Sequence, residues 1–168
     1  MAEALSPQTE LEIEQLLQRY PTRSAALVPV LHAVQRELGH LTPQTLLQVA
    51  KRLNLPPAQV YSVSTFYTLF NRRPVGKYHV QVCVSISCAL VGSHRLISML
   101  EEKLETRLGE TSEDGLFTLS EVECLASCGS GPMMQVNDKY YENLHTSEAL
   151  DKVLAPMLAE RSAMASKG

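Results

Sequence analysis

Tyr78-His79-Val80-Gln81-Val82-Cys83-Val84-Ser85-Ile86-Ser87-Cys88 begins as a strand and ends in two closely spaced cysteines. From Tyr78 to Val84 the chain alternates and is β-prone, so it reads as a strand with Cys83 at its end. Cys88 follows after an x4 gap. A second pair, Cys124-x3-Cys128, stands just beyond another strand predicted over Leu116–Val122, and the chain's 4 cysteines are then used up. Between the strands a helix is predicted from about Ser93, with Ile97, Leu100, Leu104 and Leu108 on one stripe. Strand, helix, strand implies a parallel pair with a right-handed crossover. Both cysteine pairs then follow the C-terminal ends of neighbouring parallel strands, where open α/β sheets place their ligands.

Outward from this unit, Met133–Val136 and Tyr140–Leu144 flank Asn137-Asp138-Lys139, a hairpin signal. Thr146 or Ser147 caps a last helix carrying Leu150, Val153, Leu154, Met157 and Leu158, with a kink expected at Pro156 and a frayed tail over Ser162–Gly168. Towards the N-terminus the period becomes helical. Ser6-Pro7 opens a helix with Leu11, Ile13, Leu16, Leu17 and Tyr20 on one face, and Pro21 stops it. A second helix carries Leu27, Leu31, Val34 and Leu38 and ends at Gly39; Pro29 either starts it or bends it. Thr42-Pro43 opens a third, through Leu53, and a fourth runs through Val60, Val63 and Phe66 towards Phe70. The linker is placed at Asn71–Gly76. The expected fold is α+β/α/β: an N-terminal helical bundle over 1–74, then a thioredoxin-like α/β layer over 75–168, a small mixed sheet with flanking helices.

Bulk properties narrow the function. The 168 residues carry a net charge of −3, which argues against a nucleic-acid partner. No apolar run approaches the ~18 residues that span a bilayer, and Met1–Leu5 lacks the basic and apolar regions of an export signal. A cytoplasmic or membrane-peripheral location is expected. In a reducing compartment, paired cysteines are metal ligands more often than disulfides.

A two-iron, two-sulfide cluster takes four ligands, two on each iron, and two thiolate pairs from two loops suit it. Small neighbours (Ser85, Ser87, Ser127, Gly129, Ser130 and Gly131) allow backbone N–H groups to approach the sulfurs. Structural zinc tolerates similar spacings, and disulfides or free buried thiols also fit four cysteines. A thioredoxin-type redox pair wants C-x-x-C, which neither pair has. His79 and His94 lie near enough in sequence to compete as ligands, although four cysteines already complete a set.

The flanking residues resemble one family closely. Tyr78–Cys88, Glu123-Cys124-Leu125-Ala126-Ser127-Cys128, Pro132-Met133-Met134-Gln135-Val136-Asn137-Asp138 and Tyr140-Tyr141-Glu142-Asn143-Leu144 are similar to the small thioredoxin-like [2Fe-2S] subunit of NADH:quinone oxidoreductase, respiratory complex I. The 35 residues between the pairs, 89 to 123, fit its habit. Thr65-Phe66-Tyr67, Phe70, Pro74 and Gly76-Lys77-Tyr78-His79 resemble its junction between helical and ferredoxin parts, so the likeness covers roughly Leu11 to Leu158. It implies that Cys83, Cys88, Cys124 and Cys128 hold a [2Fe-2S] cluster. Two departures stand out: Ala126 where the family often has Gly, and Gly131 where it often has Ala.

Hydride oxidation moves two electrons and a two-iron cluster accepts one, so a flavin must intervene. Gly129-Ser130-Gly131 lacks the third glycine and the strand–helix setting of a dinucleotide fingerprint, and no nucleophile–base pair is evident. The chain alone is therefore expected to be an electron carrier within an NADH dehydrogenase. FMN and NADH are expected on a larger partner subunit, with a large iron–sulfur subunit as second partner, at the cytoplasmic face of the inner membrane. The same subunit type in an NAD-reducing hydrogenase, an NAD-dependent formate dehydrogenase or an electron-bifurcating enzyme is the alternative. A zinc-stabilised adaptor is the third reading, and it predicts a colourless protein.

Overall fold

The structure, a computed structural model, describes residues 5–165. Met1–Ala4, and with them most of the segment read for an export signal, lie outside the described residues, as do the last three of the tail. The chain divides into two compact units, Met1–Pro74 and Val75–Gly168.

In the first unit, helix α1 (Pro7–Arg19) is capped by Ser6, whose Oγ accepts from the Thr9 N–H at 3.3 Å. Thr9 and Ile13 are buried, Leu16, Leu17 and the following Tyr20 are partly buried, and Leu11, expected on that face, is 60% exposed. At 100° per residue Leu11 lies almost opposite Ile13. Pro29 neither begins nor breaks α2 (Leu27–Leu38); it is the third residue, where a backbone N–H has no helical acceptor to lose. Gly39 closes α2 at φ 77°, its N–H reaching Gln35 O at 2.7 Å. Thr42 caps α3 (Pro43–Leu53), and α4 (Pro57–Phe66) stops short of Phe70. Phe70 is buried against His32, with ring centroids 4.8 Å apart. Leu31, Leu41, Leu53 and Val60 form the centre of this core.

The second unit is built on a four-stranded sheet in the order β2-β1-β3-β4. β1 (Tyr78–Cys83) runs parallel to β2 (Phe117–Val122) and antiparallel to β3 (Met134–Val136), which pairs antiparallel with β4 (Lys139–Tyr141). Because side chains alternate across a strand, Val80 and Val82 join Leu119, Met134 and Val136 in the core beneath α6 (Ser93–Leu104) and α7 (Ser147–Ala165), whereas Cys83 belongs to a separate cluster. Phe117 stacks on Tyr78 at 5.5 Å. Where the chain enters β1, a Cβ on Gly76 would lie 2.8 Å from the Leu116 and Phe117 backbone, so only glycine allows this approach to β2.

Several expectations are corrected. Leu108 falls outside α6, because Glu105 turns left-handed (φ 51°) and ends the helix. Glu101 accepts the Leu108 N–H at 3.0 Å and secures that exit. β4 ends at Tyr141 rather than Leu144, and Lys139 belongs to it, leaving Asn137 (φ 53°) and Asp138 as the turn. Tyr141 packs on the core and Tyr140 is exposed, as alternation along a strand requires. α7 runs on through Pro156 as far as Ala165, past the tail position expected to fray. A short helix not anticipated, α5 (Ile86–Leu90), lies between β1 and α6.

Candidate metal centre

The topology brings both cysteine pairs to one edge of the sheet. Cys83 is the last residue of β1 and pairs with Val122, the last of β2; Cys124 lies two residues further on. Cys88 lies on α5 and not in an open loop, so the strand turns into helix between the two thiols of the first pair. Cys128 opens a single 3-10 turn, Cys128–Ser130.

The pairs differ in surroundings. Cys83 and Cys88 are buried with Met133, and Leu125 packs against them; Cys124 and Cys128 are exposed. All four are free thiols. The sulfurs of Cys124 and Cys128 lie 3.8 Å apart. Metal–thiolate bonds of about 2.3 Å in a tetrahedron place two sulfurs ~3.8 Å apart, whereas a disulfide needs about 2.05 Å. Among the described residues no group of three or more His, Cys, Asp or Glu side chains is arranged around a single metal ion. Two thiol pairs, one at each of two adjacent strand ends, suit a dinuclear cluster with two ligands to each iron.

Hydrogen-bond donors approach the sulfurs, though mostly not those expected. The Ala126 N–H donates to Cys124 Sγ at 3.3 Å, and hydrogen bonding from the Met133 backbone and from Ser87 partly offsets the upward shifts of the Cys88 and Cys128 thiols. Gly131 gives close packing instead: a Cβ there would meet Val91 Cγ2 at 3.0 Å and Cys88 Sγ at 3.1 Å. An alanine, frequent in the resembling family, needs Val91 or the thiol to yield by a few tenths of an ångström. Ala126 is the converse departure. It stands at φ 62°, a conformation that suits glycine. Ala126→Gly is expected to stabilise the cluster-free chain by ~1 kcal/mol, net of glycine's greater freedom when unfolded. A rise in the urea midpoint at unchanged slope checks this.

Burial first, then the hydrogen bond and charge of neighbouring Cys83, push the Cys88 thiol up to about 11. The folded, cluster-free chain thus favours the neutral thiol. Its stabilising contribution is complete below the ordinary value near 9 and is lost as pH rises through about 11. Thermal melts of the cluster-free chain should fall across that window, and the loaded chain, its sulfurs already deprotonated, should not follow.

The histidines stand apart. His79 bonds Ser120 Oγ at 2.7 Å, and burial holds its pKa below the usual value. His94 is exposed on α6. Sequence reasoning missed the support beneath the second pair: Ser127 and Ser130 both donate to the Glu142 carboxylate, the latter at 2.5 Å. Only the serines flanking Cys128 hinted at it. Of the aromatic trio near the end of α4, Phe66 and Tyr67 are exposed and Phe70 is buried. Among the described residues no helix is long and apolar enough to cross a membrane.

Comparison with known proteins identifies the family. Residues 13–158 match the model of the thioredoxin-like [2Fe-2S] ferredoxin family. The chain is 47% identical over 143 residues to an NADH-quinone oxidoreductase subunit of Rhizobium meliloti (strain 1021), covering 85% of this chain and 84% of that one. It is 39% identical over 149 residues to NADH-quinone oxidoreductase subunit 2 of Thermus thermophilus, covering 88% and 82%. In fold it is similar to an NAD+-reducing [NiFe]-hydrogenase in the air-oxidised state, with a TM-score of 0.67 at 19% identity over 80% of this chain and 23% of that one. With cysteine pairs closing two adjacent parallel strands and a family match across nearly its whole length, the chain belongs to the thioredoxin-like [2Fe-2S] ferredoxins.

Proposed function

We propose that this chain is the one-electron carrier of the NADH-oxidising module of an NADH–quinone oxidoreductase, with Cys83 and Cys88 holding one iron and Cys124 and Cys128 the other. The observation that carries this reading is the convergence of two thiol pairs at the ends of β1 and β2, with 3.8 Å between the sulfurs of the exposed pair. When bound, a [2Fe-2S] cluster supplies the uptake and release of single electrons. The chain's own residues bind it and tune it. Met133 and Leu125 keep water from the first pair, and the Ala126 N–H stabilises thiolate charge on Cys124. The exposed second pair gives the side from which a partner's redox group can approach. FMN and NADH belong on that partner, and a large iron–sulfur subunit is the second neighbour. The complex sits at the cytoplasmic face of the membrane, and the units 1–74 and 75–168 are separate folding domains.

Iron and sulfide analysis, with electron paramagnetic resonance after reduction, tests the centre. Two irons per chain and a rhombic signal are expected; a colourless protein holding one zinc would reject it. Oxidation of NADH by the purified chain with a dye acceptor would overturn the division of roles. The fold likeness to the hydrogenase supports a second reading, the equivalent subunit of an NAD-reducing hydrogenase, formate dehydrogenase or bifurcating enzyme. Reconstitution with flavin subunits of each type, scored by NADH-driven reduction of the cluster, separates the two.

A further inference from the structure

The loop that ends in the second cysteine pair is held from outside by one carboxylate. Ser127 Oγ and Ser130 Oγ lie 2.8 Å apart and both donate to Glu142 Oε1, the Ser130 bond measuring 2.5 Å. Glu142 directly follows β4, and the backbone ties the same segments together: the Asn143 N–H reaches Ser130 O at 2.8 Å and the Leu144 N–H reaches Pro132 O at 3.0 Å. Asn143 takes φ 56°, which turns the chain so that Glu142 and the Asn143 N–H meet one loop. Two hydroxyl protons on one oxygen require an acceptor that bears no proton of its own, and an ionised carboxylate meets this condition and adds its charge to both bonds. The two donors also hold the carboxyl below its usual pKa, so it stays anionic at neutral pH.

We propose that Glu142 is a positioning residue for the electron-carrying centre: through Ser127 and Ser130 it fixes the loop presenting Cys128, and its negative charge beside that loop lowers the cluster's reduction potential. The inference rests on the assignment of the four cysteines as ligands. A negative charge near the site disfavours an added electron, and the hydroxyl bonds fix which backbone groups face the sulfur. Neither effect requires Glu142 to touch the iron or a ligand sulfur.

Redox titration followed by electron paramagnetic resonance tests it on the full chain, after iron and sulfide counts on the unsubstituted protein. E142Q retains an oxygen able to accept both hydroxyls but removes the charge. It is expected to shift the reduction equilibrium about two- to tenfold towards the reduced form, ~20–60 mV for one electron, with the line shape kept. E142A and the S127A/S130A variant are expected to alter the line shape and to lose iron faster to a chelator. An E142Q potential coincident with that of the unsubstituted chain overturns the proposal, as does an unchanged line shape in both other variants. An unsubstituted chain without two irons would instead reject the ligand assignment itself.

Discussion

Cys128→Ser is expected to reduce the iron content from two atoms per chain towards none and to abolish the reduced-state signal, while the helices of the first unit persist. The reason is local. Cys128 opens the 3-10 turn, and its sulfur lies 3.8 Å from that of Cys124, so together they form the whole of the exposed pair. A serine oxygen is a harder and more basic donor than a thiolate sulfur, and it forms a shorter bond. It can retain a remnant cluster only if the loop moves inwards. That movement is opposed by the Ser127, Ser130 and Glu142 bonds. No helix of the first unit contributes a ligand; its core is made of Leu31, Leu41, Leu53 and their neighbours. Far-ultraviolet circular dichroism should therefore keep most of its helical signal while the visible absorbance disappears. Cys88→Ser should be at least as severe, because it places a hydroxyl in a site that is 2% exposed. If either variant kept two irons with an unchanged signal, the ligand assignment would fail.

The elements of regular period were legible from the residues alone. β1 followed from alternation, and its parallel pairing with β2 from the helix predicted between the two strands; the register that aligns Cys83 with Val122 agrees. Cap chemistry placed Ser6 and Thr42 correctly because a side-chain acceptor before a proline leaves little choice. What was not legible depends on one residue adopting an unusual conformation or on contacts distant in sequence. Glu105 ends α6 by turning left-handed, with no glycine to announce it, so Leu108 looked like one more residue of the stripe. α5 is five residues long, too short for a period to register. At the centre, the cysteines announced themselves by type and spacing. Glu142 did not, because a lone glutamate 14 residues after Cys128 reads as surface until the fold brings it against Ser127 and Ser130.

Phe117→Ala should have the largest effect on stability, and it also tests whether the two units fold separately. The ring is 0% exposed, stacks on Tyr78 at 5.5 Å and lies under the Arg161 guanidinium at 5.9 Å. Its removal leaves a cavity at the start of the β1–β2 pairing and loosens Arg161, which bonds Asp114 at 2.6 Å and the Leu104 carbonyl at 3.2 Å. Truncating a buried phenylalanine costs ~3–5 kcal/mol, a large part of the roughly 5–15 kcal/mol that holds a domain together. Since β1 and β2 carry the first thiol of each pair or the approach to it, their separation should release the cluster. Visible absorbance should thus be lost at a much lower urea concentration. Leu31→Ala, fully buried in the first unit, is the control, with an expected cost of ~2–5 kcal/mol. If the units are separate domains, it should lower the midpoint of helix loss while cluster release stays at its original urea concentration. If both variants move both transitions together, the chain unfolds as one cooperative body, and the boundary at Pro74 and Val75 divides contacts without dividing stability.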